Sequence, residues 1–228
     1  MTLELAVFDL GSLQVAEKLR IPRIELCIDY KAGGITPPLD ILLEAKSQYS
    51  GLIYVMIRPR GGDFVYSPEE KNLLLDQARA MVCAGADGLV TGFLNQHDLL
   101  DEELLKRFME VAEHLPVTFH RAFDRCEDPF GSLDMLMRYG IRRVLSSGGT
   151  STAAESIDRL CSYQLHCAER LTVLAGGGVR SANIRTLLNA GHIREVHTAA
   201  IVPETLDKRM YVADRHELES LLVSIGNQ

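Results

Sequence analysis

Two arginines flank a proline at the end of an apolar run, and two glycines and an aspartate follow: Met56-Ile-Arg-Pro-Arg-Gly-Gly-Asp-Phe-Val-Tyr-Ser67. A guanidinium presents a planar fork of donors that matches a carboxylate or phosphate. Arg58 and Arg60, placed where a buried strand ends, therefore suit a small anion. Pro59 fixes its own φ and favours an extended residue before it. Gly61-Gly62 lets the backbone turn or approach a ligand closely. Asp63 offers the competing arrangement, a surface loop closed by its own salt bridges.

The other chemistry-bearing residues lie far away in sequence. His120 opens the run His120-Arg-Ala-Phe-Asp124. An imidazole titrates near pH 6.5, so neighbouring carboxylates such as Glu25 and Asp124 would carry it through neutrality as an acid or base. Cys27, His120 and His197, with Met56 beside them, form a thiol–imidazole set of the kind a soft ion such as Cu(I) prefers; Met56 reads more simply as packing. Three glycine-rich segments complete the set: Gly33-Gly34-Ile35-Thr36, Ser146-Ser147-Gly148-Gly149-Thr150 and Gly176-Gly177-Gly178-Val179-Arg180. Glycine turns that lead into helices expose backbone N–H groups and favour an anion. Ser147, Gly148, Gly177, Gly178 and Arg180 are the anion-binding candidates beside Arg58 and Arg60.

These residues must be brought together by the elements between them. Short β-like runs alternate with amphipathic helical stretches along the chain. Strands are expected at Leu3–Phe8, Arg23–Cys27, Leu52–Ile57, Gly88–Thr91, Val117–His120, Arg143–Ser146, Leu171–Leu174 and Glu195–Thr198. Helices are expected at Ser12–Leu19, Pro38–Ser47, Ser67–Cys83, Asp101–His114, Pro129–Tyr139, Thr152–Ala168, Ala182–Ala190 and His216–Val223. Ser12 reads as an N-cap and Ser67-Pro-Glu-Glu70 as a capping box. Gly85, Gly140 and Gly191 each read as the end of a helix just before a strand. Strict alternation without a linker reads as one (β/α)8 TIM barrel spanning 1–228 as a single domain. An open doubly wound sheet is the alternative, but Asp9-Leu-Gly-Ser12 lacks the glycine fingerprint such a sheet carries after its first strand.

Strand side chains alternate in direction. With the apolar positions facing the helices, Glu4, Arg23, Arg143 and Glu195 point inward low in the barrel, where two positive and two negative charges would pair as a ring. Cys27, Arg58, His120 and His197 point inward near the C-terminal mouth, with Glu25 one layer below. The mouth is where barrels of this kind carry their sites, and the loops after strands seven and eight commonly hold phosphate.

The 228 residues are 46% hydrophobic with net charge −7, enough for one core. The acidic balance and the lack of a basic block argue against nucleic acid. No apolar run is long enough for a membrane span, and the N-terminus lacks the pattern of a signal peptide; a cytoplasmic location is expected. Five widely spaced cysteines without a CxxC are neither a disulfide framework nor a structural zinc site. Cys83, Cys161 and Cys167 read as small buried hydrophobes.

With these residues in view, the sequence resembles the CutC family of copper homeostasis proteins. The resemblance rests on Arg23-Ile-Glu-Leu-Cys27, Gly33-Gly-Ile-Thr-Pro37, Ile57 to Ser67, Val117-Thr-Phe-His-Arg-Ala-Phe-Asp124, Val144-Leu-Ser-Ser-Gly-Gly149, Gly176-Gly-Gly-Val-Arg180 and Glu195-Val-His197. It implies a TIM barrel, a cytoplasmic homo-oligomer and a link to copper, with Cu(I) held by two cysteines. One of these matches Cys27; at the other's place in the first strand this chain has Ala6-Val7. The C-terminal part is shorter than is usual for the family.

Two functions follow. One is copper handling, with Cys27, His120 and His197 as ligands and copper as cofactor. The other is a lyase, isomerase or hydrolase step on a small anion or phosphorylated metabolite. There Arg58 and Arg60 would clamp the substrate, His120 would move a proton, and Glu25 or Asp124 would orient it. Gly177, Gly178, Arg180, Ser147 and Gly148 would hold the anion.

Overall fold

The computed structural model describes residues 1–149, 152–202 and 211–226. Its eight parallel strands close into a barrel in sequence order, β1 to β8. They are β1 (Thr2–Val7), β2 (Arg23–Leu26), β3 (Leu52–Met56), β4 (Gly88–Thr91), β5 (Val117–Phe119), β6 (Arg143–Ser146), β7 (Thr172–Gly176) and β8 (Glu195–Thr198). The helices are α1 (Leu10–Lys18), α2 (Leu39–Gln48), α3 (Pro68–Cys83), α4 (Glu102–Ala112), α5 (Pro129–Arg138), α6 (Ile157–Cys167), α7 (Ile184–Asn189) and α8 (Arg215–Gly226). β1 pairs with both β2 and β8, which closes the cylinder and removes the open doubly wound sheet. Among the described residues no helix is long and apolar enough to cross a membrane.

Local chemistry sets most boundaries. Ser67 and Glu70 form the expected reciprocal capping box at the start of α3. Gly85, Gly140 and Gly191 all have positive φ, which lets each helix stop and turn into the next strand. Three helix starts differ from expectation by two residues or more. The N-cap of α1 is Asp9, whose Oδ1 accepts the Ser12 N–H at 2.8 Å; Ser12 lies inside the helix, and its hydroxyl accepts the Ala213 N–H at 2.9 Å. α6 starts at Ile157 rather than Thr152, because the Ala153 N–H donates to Gly177 O at 2.9 Å and ties that stretch to the loop after β7. α7 starts at Ile184, since the Asn183 side chain accepts the Arg180 N–H and donates to Gly178 O. Thr150 lies outside the described residues.

The core between sheet and helices is apolar, including Leu5, Ile24, Val55, Leu89, Phe119, Val144, Val173 and Val196 on the outward strand faces. Cys167 is buried there, Cys161 is half-buried, and Cys83 is exposed. Cys83 ends α3 away from the stripe of Leu74, Leu75, Ala78 and Met81 that the helix buries, so it does not pack as expected.

The barrel interior is charged, and only part of the expected ring forms. Arg23 donates to both Glu4 and Glu195. Arg143 does not join these carboxylates. Its guanidinium donates to Tyr54 Oη and Thr118 Oγ1, with Cζ 4.6 Å from the Tyr54 ring centroid. Arg23 Cζ is 5.3 Å from the same ring, so one tyrosine serves two guanidiniums. The second oxygen of Glu4 accepts instead from His197 Nδ1 at 2.7 Å. Removing one partner of a buried pair strands the other charge. Arg23→Met is therefore expected to lower the unfolding free energy by about 3–5 kcal/mol in urea titrations. Arg143→Met, which leaves only neutral hydroxyls behind, should cost about 1–3 kcal/mol.

Candidate functional site

A cavity of about 230 Å³ opens at the C-terminal ends of the strands. β2 brings Glu25 to it, β8 His197, and the segments after β3 and β5 bring Arg58, His120 and Arg121. Gly177, Gly178, Arg180 and Ala199 close one side, and Phe8, Tyr30 and Phe64 supply aromatic walls. The volume is below the roughly 300 Å³ at which drug-sized pockets begin, so the site suits a small molecule.

Glu25 is 4% exposed, and its Oε2 has no hydrogen-bond partner. Burial pushes its carboxyl up; His197 and Arg23 oppose the rise and Glu4 adds to it, for a net value of about 7. Glu4, one strand away, also feels burial, but His197 and Arg23 overcome it and hold the carboxyl at about 2. His197 loses stability as a cation through burial, yet Glu25 and Glu4 outweigh this and raise it. The ligand atoms of Glu4, Glu25 and His197 lie within 4.8 Å of one another, so they titrate as a unit.

His120 behaves differently from expectation. Its Nδ1 accepts the Ala122 N–H at 3.1 Å, which puts the proton of the neutral ring on Nε2. Nε2 is buried and has no partner. Burial, helped by the Arg58 charge, pushes the imidazole down to about 3. No carboxylate lifts it, because Asp124 is engaged elsewhere. The Asp124 carboxylate accepts from Arg121 Nε at 2.8 Å, from the Ser147 N–H at 3.1 Å, and from the Ser146 and Ser147 hydroxyls. His120 is thus a neutral donor, with Gly92 behind it: a Cβ there would meet the ring at 2.3 Å.

The arginines also sort themselves. Arg58 laces the loops after β2 and β3 together, donating to Ala32 O, Gly34 O and Gly62 O at 2.9–3.1 Å. Its Nε remains buried without a partner. Arg60 faces away from the cavity: it pairs with Asp63 and Glu70 and donates to Val65 O, pinning the loop to the start of α3. The closed-loop arrangement therefore describes Arg60. Arg180 lines the cavity, but it braces the β7 and β8 loops through Val179 O, Thr198 Oγ1 and Ile201 O. Arg121 was not singled out from the sequence. It follows His120 directly, and the Arg121–Asp124 spacing of three residues was the signal that could have marked it.

The backbone candidates divide as well. Ser147 and Gly148 are not among the residues that line the cavity: the Gly148 N–H donates to Ser146 Oγ at 2.8 Å, and Ser147 serves Asp124. Gly177 and Gly178 do, with φ of 102° and 66°. Among the described residues no hydrogen bond engages their N–H groups. A Cβ at Gly177 would stand 2.9 Å from Ser147 Cβ.

Cys27, His120 and His197 do not assemble. Cys27 is packed with Tyr54, Met56 and Val90 inside the barrel, and its Sγ lies 3.5 Å from Val7 O. Burial, and then the charge of Glu25, push its thiol well above the usual value. Among the described residues, the group of side chains that meets with metal-ligand spacing is Glu4, Glu25 and His197.

The comparisons agree with this barrel. The family model described as "CutC family" matches residues 1–202. A "family protein CutC" of Photobacterium profundum is 36% identical over 195 residues, covering 86% of this chain and 80% of that protein. A human protein named "Copper homeostasis protein cutC homolog" is 38% identical over 198 residues, covering 87% of this chain and 72% of that protein. The crystal structure of a CutC protein from Streptococcus agalactiae superposes with a TM-score of 0.83 at 29% identity, covering 87% of this chain and 98% of that one.

The titrations predict a stability profile with losses on both sides. Glu25 and His197 are raised, so their stabilisation is present in acid and fades as pH rises, through about 7 for Glu25 and above the ordinary imidazole range for His197. His120 and Glu4 are lowered, so theirs is present near neutrality and fades as pH falls toward about 3 and about 2. Glu25→Gln removes the neutral-side loss at Glu25. In urea titrations it should be more stable than wild type at pH 8 and gain nothing at pH 5.

Proposed function

The chain belongs to the CutC family, and we propose that its barrel mouth binds a small anionic or phosphorylated molecule and exchanges a proton with it. This would take place within the copper homeostasis for which its relatives are named. One observation carries the reading. Glu25 Oε2 and His120 Nε2 come from separate strands or strand ends, are buried without a partner, and belong to residues that line one cavity. Each such atom costs about 1–3 kcal/mol, a cost that a bound polar ligand would offset.

The roles follow from protonation. A carboxyl that titrates at about 7 can give or take a proton at neutral pH, so Glu25 is the acid or base. His197 holds the charge beside it. His120 Nε2–H donates to a ligand oxygen and stays neutral throughout. These groups suit proton movement next to a polarised oxygen, as in a lyase or isomerase step.

Copper binding at the mouth is the second reading, favoured by the meeting of Glu4, Glu25 and His197 and by the relatives' names. Two carboxylates and an imidazole suit a borderline divalent ion better than Cu(I). A Cu(I) site built on thiolates does not fit the residues present: Cys27 holds its proton and Ala6-Val7 stand in β1. We also infer from the family resemblance that the protein is cytoplasmic and self-associates.

A thermal-shift screen of phosphorylated and carboxylated metabolites tests the main reading. A true ligand at 100 times its Kd should add about 2.7 kcal/mol, and Glu25→Gln and His120→Gln should lose most of this gain. If no anion stabilises the wild type, the proposal is wrong. Cu(I) and Cu(II) titrations against chelators decide the second reading: Cys27→Ala should leave copper affinity unchanged, and a large loss would restore the thiolate site.

A further inference from the structure

We propose that Arg121 is the charged contact for the ligand's anionic group. The subsite is closed by the Gly177–Gly178 backbone, and Asp124 acts as the positioning residue. The inference rests on the small-anion reading of the cavity and says where the anion sits and what holds it.

Among the described residues, Arg121 is the cavity-lining arginine that keeps an Nη uncommitted. Arg58 and Arg180 line the cavity, but both Nη atoms of each are committed to backbone carbonyls or Thr198. Arg60 is paired with Asp63 and Glu70 outside it. Arg121 lines the cavity and is differently held. Its Nε donates to Asp124 at 2.8 Å and its Nη2 to Ser147 Oγ at 2.9 Å. Among the described residues, Nη1 has no acceptor. The fork is fixed on one side and open on the other.

That open side faces the Gly177 turn. A Cβ placed on Gly177 would lie 3.4 Å from both Nη1 and Cζ of Arg121. The glycine therefore allows a close approach as well as a positive φ. A guanidinium nitrogen and two uncommitted backbone N–H groups then line the same side of the cavity, an arrangement that suits a tetrahedral oxyanion. Buried, unpartnered His120 Nε2 and Glu25 Oε2 line the cavity too, so a molecule anchored by its phosphate would present its remaining oxygens to them. The ligand class is a compact phosphate monoester bearing a hydroxyl or carbonyl.

Asp124 cannot touch such a ligand, because its oxygens are filled by Arg121, Ser146 and Ser147. Its part is to turn Arg121. Spread over several donors, its charge orients the guanidinium without occupying Nη1.

Calorimetric titration of the full chain with inorganic phosphate and methyl phosphate tests the assignment. Arg121→Gln should weaken phosphate binding about ten- to a hundredfold. Arg121→Lys should recover part of it as a point charge, and Arg60→Gln should leave it unchanged. Asp124→Asn should weaken it less than Arg121→Gln, with rescue by Asp124→Glu, which a merely structural role would not give. Unfolding midpoints identify a variant that has failed to fold, and Arg121→Lys then carries the comparison. Phosphate affinity indifferent to both Arg121 changes overturns the subsite. So does a wild type that binds carboxylate metabolites in a Glu25-dependent way but no phosphate; that result leaves the small-anion reading standing.

Discussion

Arg23 is the residue around which the interior of this barrel is arranged. Its fork serves Glu4 below the mouth and Glu195 across β1. Glu4 then spends its second oxygen on His197. A third carboxylate, Glu25, sits two residues above Arg23 on the same strand and receives none of these hydrogen bonds. Buried charges need counter-charges. With the available ones taken, Glu25 holds its proton to about pH 7. The reactivity at the mouth thus comes from a pairing made one layer lower.

The same logic separates structure from site at the rim. Backbone carbonyls in tight loops need donors, and arginines supply several from one side chain. Arg58, Arg60 and Arg180 are drawn into that work. What they stabilise is the shape of the loops after β2, β3, β7 and β8. Loop geometry and ligand contact are therefore carried by different arginines, and the cavity keeps a few unpartnered atoms inside a rigid frame.

Much of this frame was legible in the sequence. The alternation of β-like runs with amphipathic stretches, the Ser67–Glu70 box and the glycines at 85, 140 and 191 are local signals, and each has a local cause. The period of two along a strand also placed Glu25, Arg58, His120 and His197 inside, since it needs only the apolar positions as a guide. What the sequence could not show is where long side chains end. A guanidinium reaches across several residues, so Arg143 finding Tyr54 rather than a carboxylate depends on neighbours from other strands. Asp124 was expected near His120 and turned instead to Ser146 and Ser147, because β6 lies beside β5. Cys27, His120 and His197 all point inward, yet Tyr54, Met56 and Val90 pack around the thiol and keep it in an apolar layer. Pairing of this kind is decided in three dimensions.

Proton exchange at the mouth depends on one protonation state, that of Glu25 in the folded protein. Carbon-detected NMR of side-chain carboxyls, assigned with Glu25→Gln, follows it directly through a pH titration. The predicted result is a midpoint near 7, held there chiefly by burial, that Glu4→Gln lowers only in part by removing the neighbouring negative charge. A Glu25 carboxyl already ionised at pH 5 would contradict the account, because the mouth would then hold an ordinary carboxylate with no proton to exchange at neutral pH.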